Sequence, residues 1–359
     1  MAVATGRFAA SMPKSGIESL EKHIWRDDIR RHVVRFESMR EPTTAAYAYD
    51  PALPAYFRRR HSFPQRLIYE LRDVIVSPFT GLVWIPGAVF NESLGSATRI
   101  MEWSQALDDV LLPVETISDQ RTIIACPGLG FYHWLMESLP NAITALERSP
   151  DLALLLPTDP PRYLREAIAL LFDGQLPAER IIYADGPVRV ARLIMPAVDF
   201  EGGFCHPDDL AALRRRILPA ATRAASAPAG KGGCVYVSRR SAPLRPLAGE
   251  DLLERALAAR GFHIFNAETL SFPAQVAEIA NARTIVAPHG AGLAHLAWPD
   301  PPCRVIELFR PDYVNDCFAN LAVSRGLQYE YLMCRPTAPH VDSALVDQLL
   351  ARLSTPHHA

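Results

Sequence analysis

The chain has 359 residues, enough for roughly two domains at about 150 residues each. Apolar residues make up 49% and charged residues 21%, a globular mixture that excludes wholesale disorder. The 37 basic and 39 acidic residues leave a formal charge of −2, which argues against a dedicated nucleic-acid binder.

The longest apolar runs, such as 167–172, fall far short of the ~18 residues that a bilayer-spanning helix needs. Lys14, Glu18, Glu21, Lys22 and Arg26 interrupt any signal-like apolar stretch near the start. The expectation is a soluble cytoplasmic protein, with peripheral contact to the inner face of the membrane left open. Cysteines 126, 205, 234, 303, 317 and 334 form no Cys-x-x-Cys pair, so reduced thiols are expected.

Residues 1–62 parse poorly as an N-terminal extension: 17–34 has a helical look and 39–54 is rich in turn formers. From about residue 66, short apolar runs at 74–76, 82–85, 122–125, 152–156, 181–183 and 191–195 read as strands. Helical patterns lie between them at 132–147, 161–172 and 207–218. Alternating strands and helices predict a mainly parallel, helix-covered sheet over 63–218. Ala, Ser, Pro and Gly then dominate 219–233, which reads as a linker.

Beyond it, strands are expected at 234–238, 263–265, 284–287, 304–308 and 328–333. Helices are expected at 250–260, 271–281, 316–325 and 343–352, with a short one ending near Trp298. This describes a second Rossmann-type lobe over 234–335, followed by a C-terminal helix and tail to 359. The fold class is thus α/β, two Rossmann-type lobes facing a central cleft.

Several chemistries can be set aside. There is no Gly-x-Gly-x-x-Gly, no P-loop, no Gly-x-Ser-x-Gly elbow and no His-Glu-x-x-His. Asp-x-Asp, which would hold a divalent ion on a diphosphate, is also missing; Asp199-Phe200-Glu201 is only a loose relative. No metal site is expected.

Three constellations remain. In Tyr132-His133-Trp134-Leu135-Met136-Glu137, a buried strand and a glycine turn deliver His133 and Glu137 to one face of a helix. They could form an oriented base or bind hydroxyls; a packed helix with a core histidine competes. Val235-Tyr236-Val237-Ser238-Arg239-Arg240, followed by Arg245 and Glu250, places guanidinium forks at a strand end, where they suit phosphate oxygens. The bland alternative is a solvated basic loop. Pro288-His289-Gly290-Ala291-Gly292 is a strand-to-helix turn whose amides can meet an anion; glycines that serve only the turn are the competing reading. Glu307, ending the next strand, suits a ribose diol or a plain surface.

These segments are similar to glycosyltransferase family 61. The resemblance rests on Tyr132-His133-Trp134-Leu135…Glu137…Leu139-Pro140 and on the arginine segment through Arg245 and Glu250. Its most specific part is Gly261-Phe262…Glu268…Leu270-Ser271-Phe272…Gln275-Val276…Ala282…Pro288-His289-Gly290-Ala291-Gly292-Leu293, with 305–308 after it. Similarity covers about 125–335; where an Asn commonly precedes the Glu, this chain has Gly249. The resemblance implies an inverting, metal-independent GT-B transferase using a nucleotide sugar, here of the bacterial capsular polysaccharide type. A UDP-sugar donor and a glycan acceptor are the expected partners, without a cofactor. Ser238, Arg239, Arg240, Arg245, His289, Gly290, Ala291, Gly292 and Glu307 are expected on the donor, with Glu307 on the ribose. His133 or Glu137 is expected as base on the acceptor hydroxyl. A UDP-sugar epimerase and a non-catalytic glycan-binding protein are the competing readings.

Overall fold

The computed structural model describes residues 17–18, 27–46, 57, 60–63, 65–93, 108–127, 130–197, 204–225, 233–242, 246–334 and 340–355. Asp199–Glu201, Arg245 and residues 226–232 of the expected linker lie outside these residues. The chain divides into two compact units, one of residues 1–45 and 61–213, the other of 46–60 and 214–359.

In the first unit the strands are β1 (Ile17–Glu18), β2 (Val33–Arg40), β3 (Thr43–Ala46), β4 (Arg60–Phe63), β5 (Arg66–Val76), β6 (Val83–Ile85), β7 (Ala88–Phe90), β8 (Glu115–Thr116), β9 (Thr122–Ala125), β10 (Ala153–Pro157), β11 (Ile181–Ala184) and β12 (Val188–Pro196). The main sheet runs β1-β7-β6-β5-β12-β9-β10-β11, with β2 on β5 and β8 on β12. The half from β12 to β11 is parallel, as expected. The other half corrects the expectation: β5 is antiparallel to β12, β2 and β6. Only β5–β6 and β6–β7 are joined by short hairpin connections, whereas β9, β10 and β11 need helical crossovers. The all-apolar β10 is buried along its whole length, as a strand covered on both faces must be.

The helical look of 17–34 is also corrected. Among the described residues, Ile17 pairs with Val89, Asp27–Arg30 is one helical turn and from Val33 the chain is a strand; residues 19–26 lie outside them. Pairing with β5 overrides the local charge pattern.

The crossover after β9 is α1, which starts as Phe131–His133, passes through a π turn at Trp134–Ser138 and continues as Leu139–Arg148. Next come α2 (Arg162–Leu170) and α3 (Pro207–Ala224). α3 runs through Pro219, where the linker was expected to begin, and the unit boundary falls inside it at 213/214. One proline deletes one ladder bond, and the alanines around it keep the helix going.

The second unit holds β13 (Cys234–Val237), α4 (Glu250–Ala258), β14 (His263–Phe265), α5 (Phe272–Ala280), β15 (Thr284–Pro288), β16 (Arg304–Phe309), α6 (Cys317–Ser324), β17 (Gln328–Met333) and α7 (Ser343–Ser354). All its strand pairs are parallel, in the order β14-β13-β15-β16-β17. That is the 2-1-3-4-5 doubly wound order, and its switch point lies between β13 and β15, where such sheets bind ligands beyond the strand ends. Tyr236, Val286, Ile306, Leu308 and Leu332 form the centre of its core. Phe57, from the segment 46–60, is buried against Phe309, Tyr329 and Tyr331.

Two further features bear on stability. All six cysteines are free thiols. His295 is fully buried between Trp298 and Gln275. The indole Nε1–H donates to its Nδ1 at 2.9 Å, so Nε2 carries the proton and donates to Gln275 Oε1 at 3.0 Å. Burial pushes this imidazole down to about 3, from an ordinary value of 6.5. The unfolded chain therefore binds the proton first, and stability present above pH 6.5 drains away as pH falls. At pH 4.5 the loss should reach about 3 kcal/mol. Urea unfolding at pH 7.5 and 4.5 checks this, and His295→Gln should show a distinctly smaller difference between the two.

Candidate active site

In the first unit, β9 leads through a turn into α1, whose first turn is entered from Gly130 at φ 52°, a left-handed conformation that favours glycine. Pro140 shapes the next turn of this helix. It has no N–H for the Met136 carbonyl, and its ring would clash with that oxygen in a regular helix. The helix widens instead: the Leu139 amide donates to Trp134 O, a π-type bond. The displaced Met136 carbonyl accepts from the buried Cys205 thiol at 3.8 Å. Trp134, fully buried beside Tyr163, anchors this turn.

On the opposite face, His133 Nδ1 donates to Glu137 Oε1 at 2.8 Å. The carboxylate fixes the tautomer, so Nε2 keeps its lone pair. His133 is about one third exposed while Glu137 is buried, a geometry in which the acid orients and the imidazole is reachable. Both border a cavity of about 70 Å³ with Ser138 and Asn141, and Leu193 and Met195 of β12 form part of its apolar wall.

In the second unit Ser238 and Arg239 follow the end of β13, and His289 and Gly290 follow the end of β15, on the two sides of the switch point. β13 ends at Val237, and the chain turns there because Ser238 Oγ donates to Glu254 Oε1 at 2.7 Å and accepts the Arg240 amide at 3.2 Å. The Ser238 hydroxyl is thus committed to the turn. Arg240 reaches Glu254 Oε2 at 3.0 Å from an exposed position. Glu250 lies behind: its Oε1 accepts from Tyr236 Oη at 2.9 Å and the Arg239 amide at 2.6 Å. Burial raises the Glu250 carboxyl above its usual range.

The Arg239 guanidinium lies directly on Gly290. A Cβ on that residue would sit 1.6 Å from Arg239 Nη1. One residue pair further, a Cβ on Gly292 would meet Val237 Cγ1 at 2.9 Å. Both glycines leave the room that β13 and the present position of its arginine take up. A 3₁₀ turn, Ala291–Ala297, follows Gly290. The amides that open a helical turn have no partner within it, so they stand beside the guanidinium as donors.

Glu307 differs from expectation. It is fully buried, and both oxygens are engaged: Oε1 with His289 Nδ1, Oε2 with Tyr329 Oη at 2.6 Å. A carboxylate so placed has no oxygen to offer a ribose; it orients His289. The ring of His289 stacks on Phe309 and has its Nε2 3.3 Å from Asn315 Nδ2. Sequence reasoning passed over Asn315 and Tyr329, which no motif spacing marks, and left Glu254 unremarked although it shares a helix face with Glu250.

Residues 131–306 match the family model described as Glycosyltransferase 61. This stretch is a glycosyltransferase family 61 domain. The protein is accordingly a glycosyltransferase. The match begins at the helix of His133 and Glu137, takes in Arg239 and the 289–292 turn, and ends one residue before Glu307. No curated protein matches the chain at a significant level. Among the described residues of this glycosyltransferase, no helix is long and apolar enough to cross a membrane.

Proposed function

We propose that the protein transfers a sugar, with inversion and without a metal ion, from a UDP-sugar to a glycan hydroxyl in bacterial polysaccharide synthesis of the capsular type. The observation that carries this reading is the guanidinium of Arg239 seated on Gly290 at the switch point of a parallel sheet. A fork of N–H donors beside a glycine turn suits a diphosphate, bidentately and with close backbone approach.

In the reaction, His133 Nε2 takes the proton of the acceptor hydroxyl while Glu137 steadies the resulting imidazolium. The acceptor oxygen bonds to the anomeric carbon, and the bond from that carbon to the diphosphate oxygen breaks. Both electrons leave with the diphosphate. Arg239 and the amides of the 290–292 turn meet that charge where it develops, the kind of contact that contributes most to such a step. His289, held by Glu307, borders the same turn and serves the donor; Arg240 stands at the rim with Glu254. The acceptor class and the capsular assignment rest on the resemblance of the sequence to the family.

A thermal-shift series with UDP and UDP-sugars, run in EDTA, tests the donor. UDP at 100 times its dissociation constant should stabilise the protein by about 2.7 kcal/mol. No shift with any uridine nucleotide, or a shift that appears only when magnesium is restored, defeats the reading.

A further inference from the structure

His133, Glu137 and Asn141 stand four residues apart along α1, and all three border one cavity. A regular helix would not hold them in a row: at 3.6 residues per turn, the step from 133 to 141 overshoots two turns by about 80°. The π turn takes up one extra residue, roughly 100° of rotation, and returns Asn141 to within about 20° of the His133 line. Pro140, which forces that turn, therefore aligns the three side chains.

The Asn141 amide has a defined orientation. Arg66 Nη2 donates to its Oδ1, and a guanidinium can only donate, so the carbonyl oxygen faces Arg66 and the NH2 group is the opposite end. Arg66 is itself immobilised: buried, with Nη1 on Asp209 Oδ2 at 2.9 Å and Nε on the Ala197 carbonyl at 2.9 Å. Arg40 approaches the same Asp209 oxygen at 3.3 Å. Two other hydroxyls at the cavity are already engaged: Thr80 Oγ1 donates to Asp109 at 2.8 Å and Ser93 Oγ to the Phe90 carbonyl at 2.7 Å.

We propose that Asn141 binds the acceptor sugar, its NH2 donating to a hydroxyl or ring oxygen next to the hydroxyl that His133 deprotonates, with Arg66 as the positioning residue. This rests on the glycosyl-transfer reading above. The apolar wall from Leu193 and Met195 suits the C–H face of a pyranose, so the ligand class is a pyranoside.

The test uses the full chain and saturation-transfer NMR with methyl α- and β-pyranosides of glucose, galactose, mannose and xylose, at saturating UDP. At least one glycoside should bind the wild type. Asn141→Ala and Asn141→Asp should each weaken it about tenfold or more with UDP affinity unchanged, and Asn141→Asp should also keep the wild-type melting temperature, whereas Asn141→Ala lowers it by leaving Arg66 without that acceptor. The aspartate variant is decisive, since it keeps an oxygen for Arg66 and so the fold, but replaces the donor with an acceptor. Wild-type glycoside affinity in Asn141→Asp, or no binding of any glycoside to the wild type, overturns the proposal. Asn141-dependent glycoside binding in a protein that ignores UDP would uphold this site while the nucleotide-sugar reading fell.

Discussion

Gly290→Ala is expected to lower UDP affinity tenfold to a hundredfold and kcat/KM by two to three orders of magnitude, while the protein stays folded. The methyl group would occupy the position of the Arg239 guanidinium, with 1.6 Å between the new Cβ and Nη1. A long flexible side chain can swing away from such a clash, so the cost falls on the cradle rather than on the core. Gly290 is extended, at φ 163°, so no backbone strain confuses the result. A hydrogen bond to a charged group is worth about 1.5–3 kcal/mol, which sets the affinity range; the larger loss in kcat/KM reflects charge that develops only as the diphosphate leaves. Arg239→Ala should match it, and Arg239→Lys should recover part of the affinity but not the fork geometry. Calorimetric UDP titration with melting curves as control checks the set. Unaltered UDP binding in a folded Gly290→Ala variant would place the donor elsewhere.

His133→Ala is expected to reduce kcat by a factor of about 100 to 10,000, the usual contribution of a positioned base, with donor affinity unchanged. Glu137→Gln should cost less, since the amide still reaches Nδ1 but no longer balances an imidazolium. For the wild type, kcat/KM should fall toward acid pH, because protonated His133 has no lone pair at Nε2. In Glu137→Gln that acid limb should move to lower pH, as an imidazole without its neighbouring carboxylate binds the proton less tightly. Initial rates across the pH range in all three proteins are the measurement. A limb that survives intact in His133→Ala would assign the base to another group.

The residues behind these two expectations differ in how far the sequence reveals them. The Arg239 and Gly290 segments are readable as separate strand-end motifs, since each is local: a strand, a turn, a few amides. Their contact is not, because 51 positions separate them (290 − 239) and only the β13–β15 pairing brings them together. The His133–Glu137 pair is readable from its four-residue spacing. The π turn beneath it could be suspected only from Pro140, and Asn141 gained a role only once Arg66 and Asp209, from distant strands and helices, converged on it.

The same division accounts for the corrected expectations. Glu307 ends its strand as expected, yet a strand end does not say which way a carboxylate is covered, and His289 and Tyr329 cover it completely. The antiparallel half of the first sheet is not legible because its strands carry no period that distinguishes the direction of their partners. Phe57 stands in the poorly parsed segment 1–62, just past its turn-rich stretch, and its burial beside Phe309 and Tyr331 is purely tertiary.

From its amino acids alone this protein's alternation of strands and helices, its glycine turns and its arginine and histidine motifs were determined, because each depends on neighbours within a few positions. Which strands pair, which carboxylates are consumed in holding a histidine, and which side chains share a cavity were decided only by the folded chain, because those contacts join segments that no short-range preference connects.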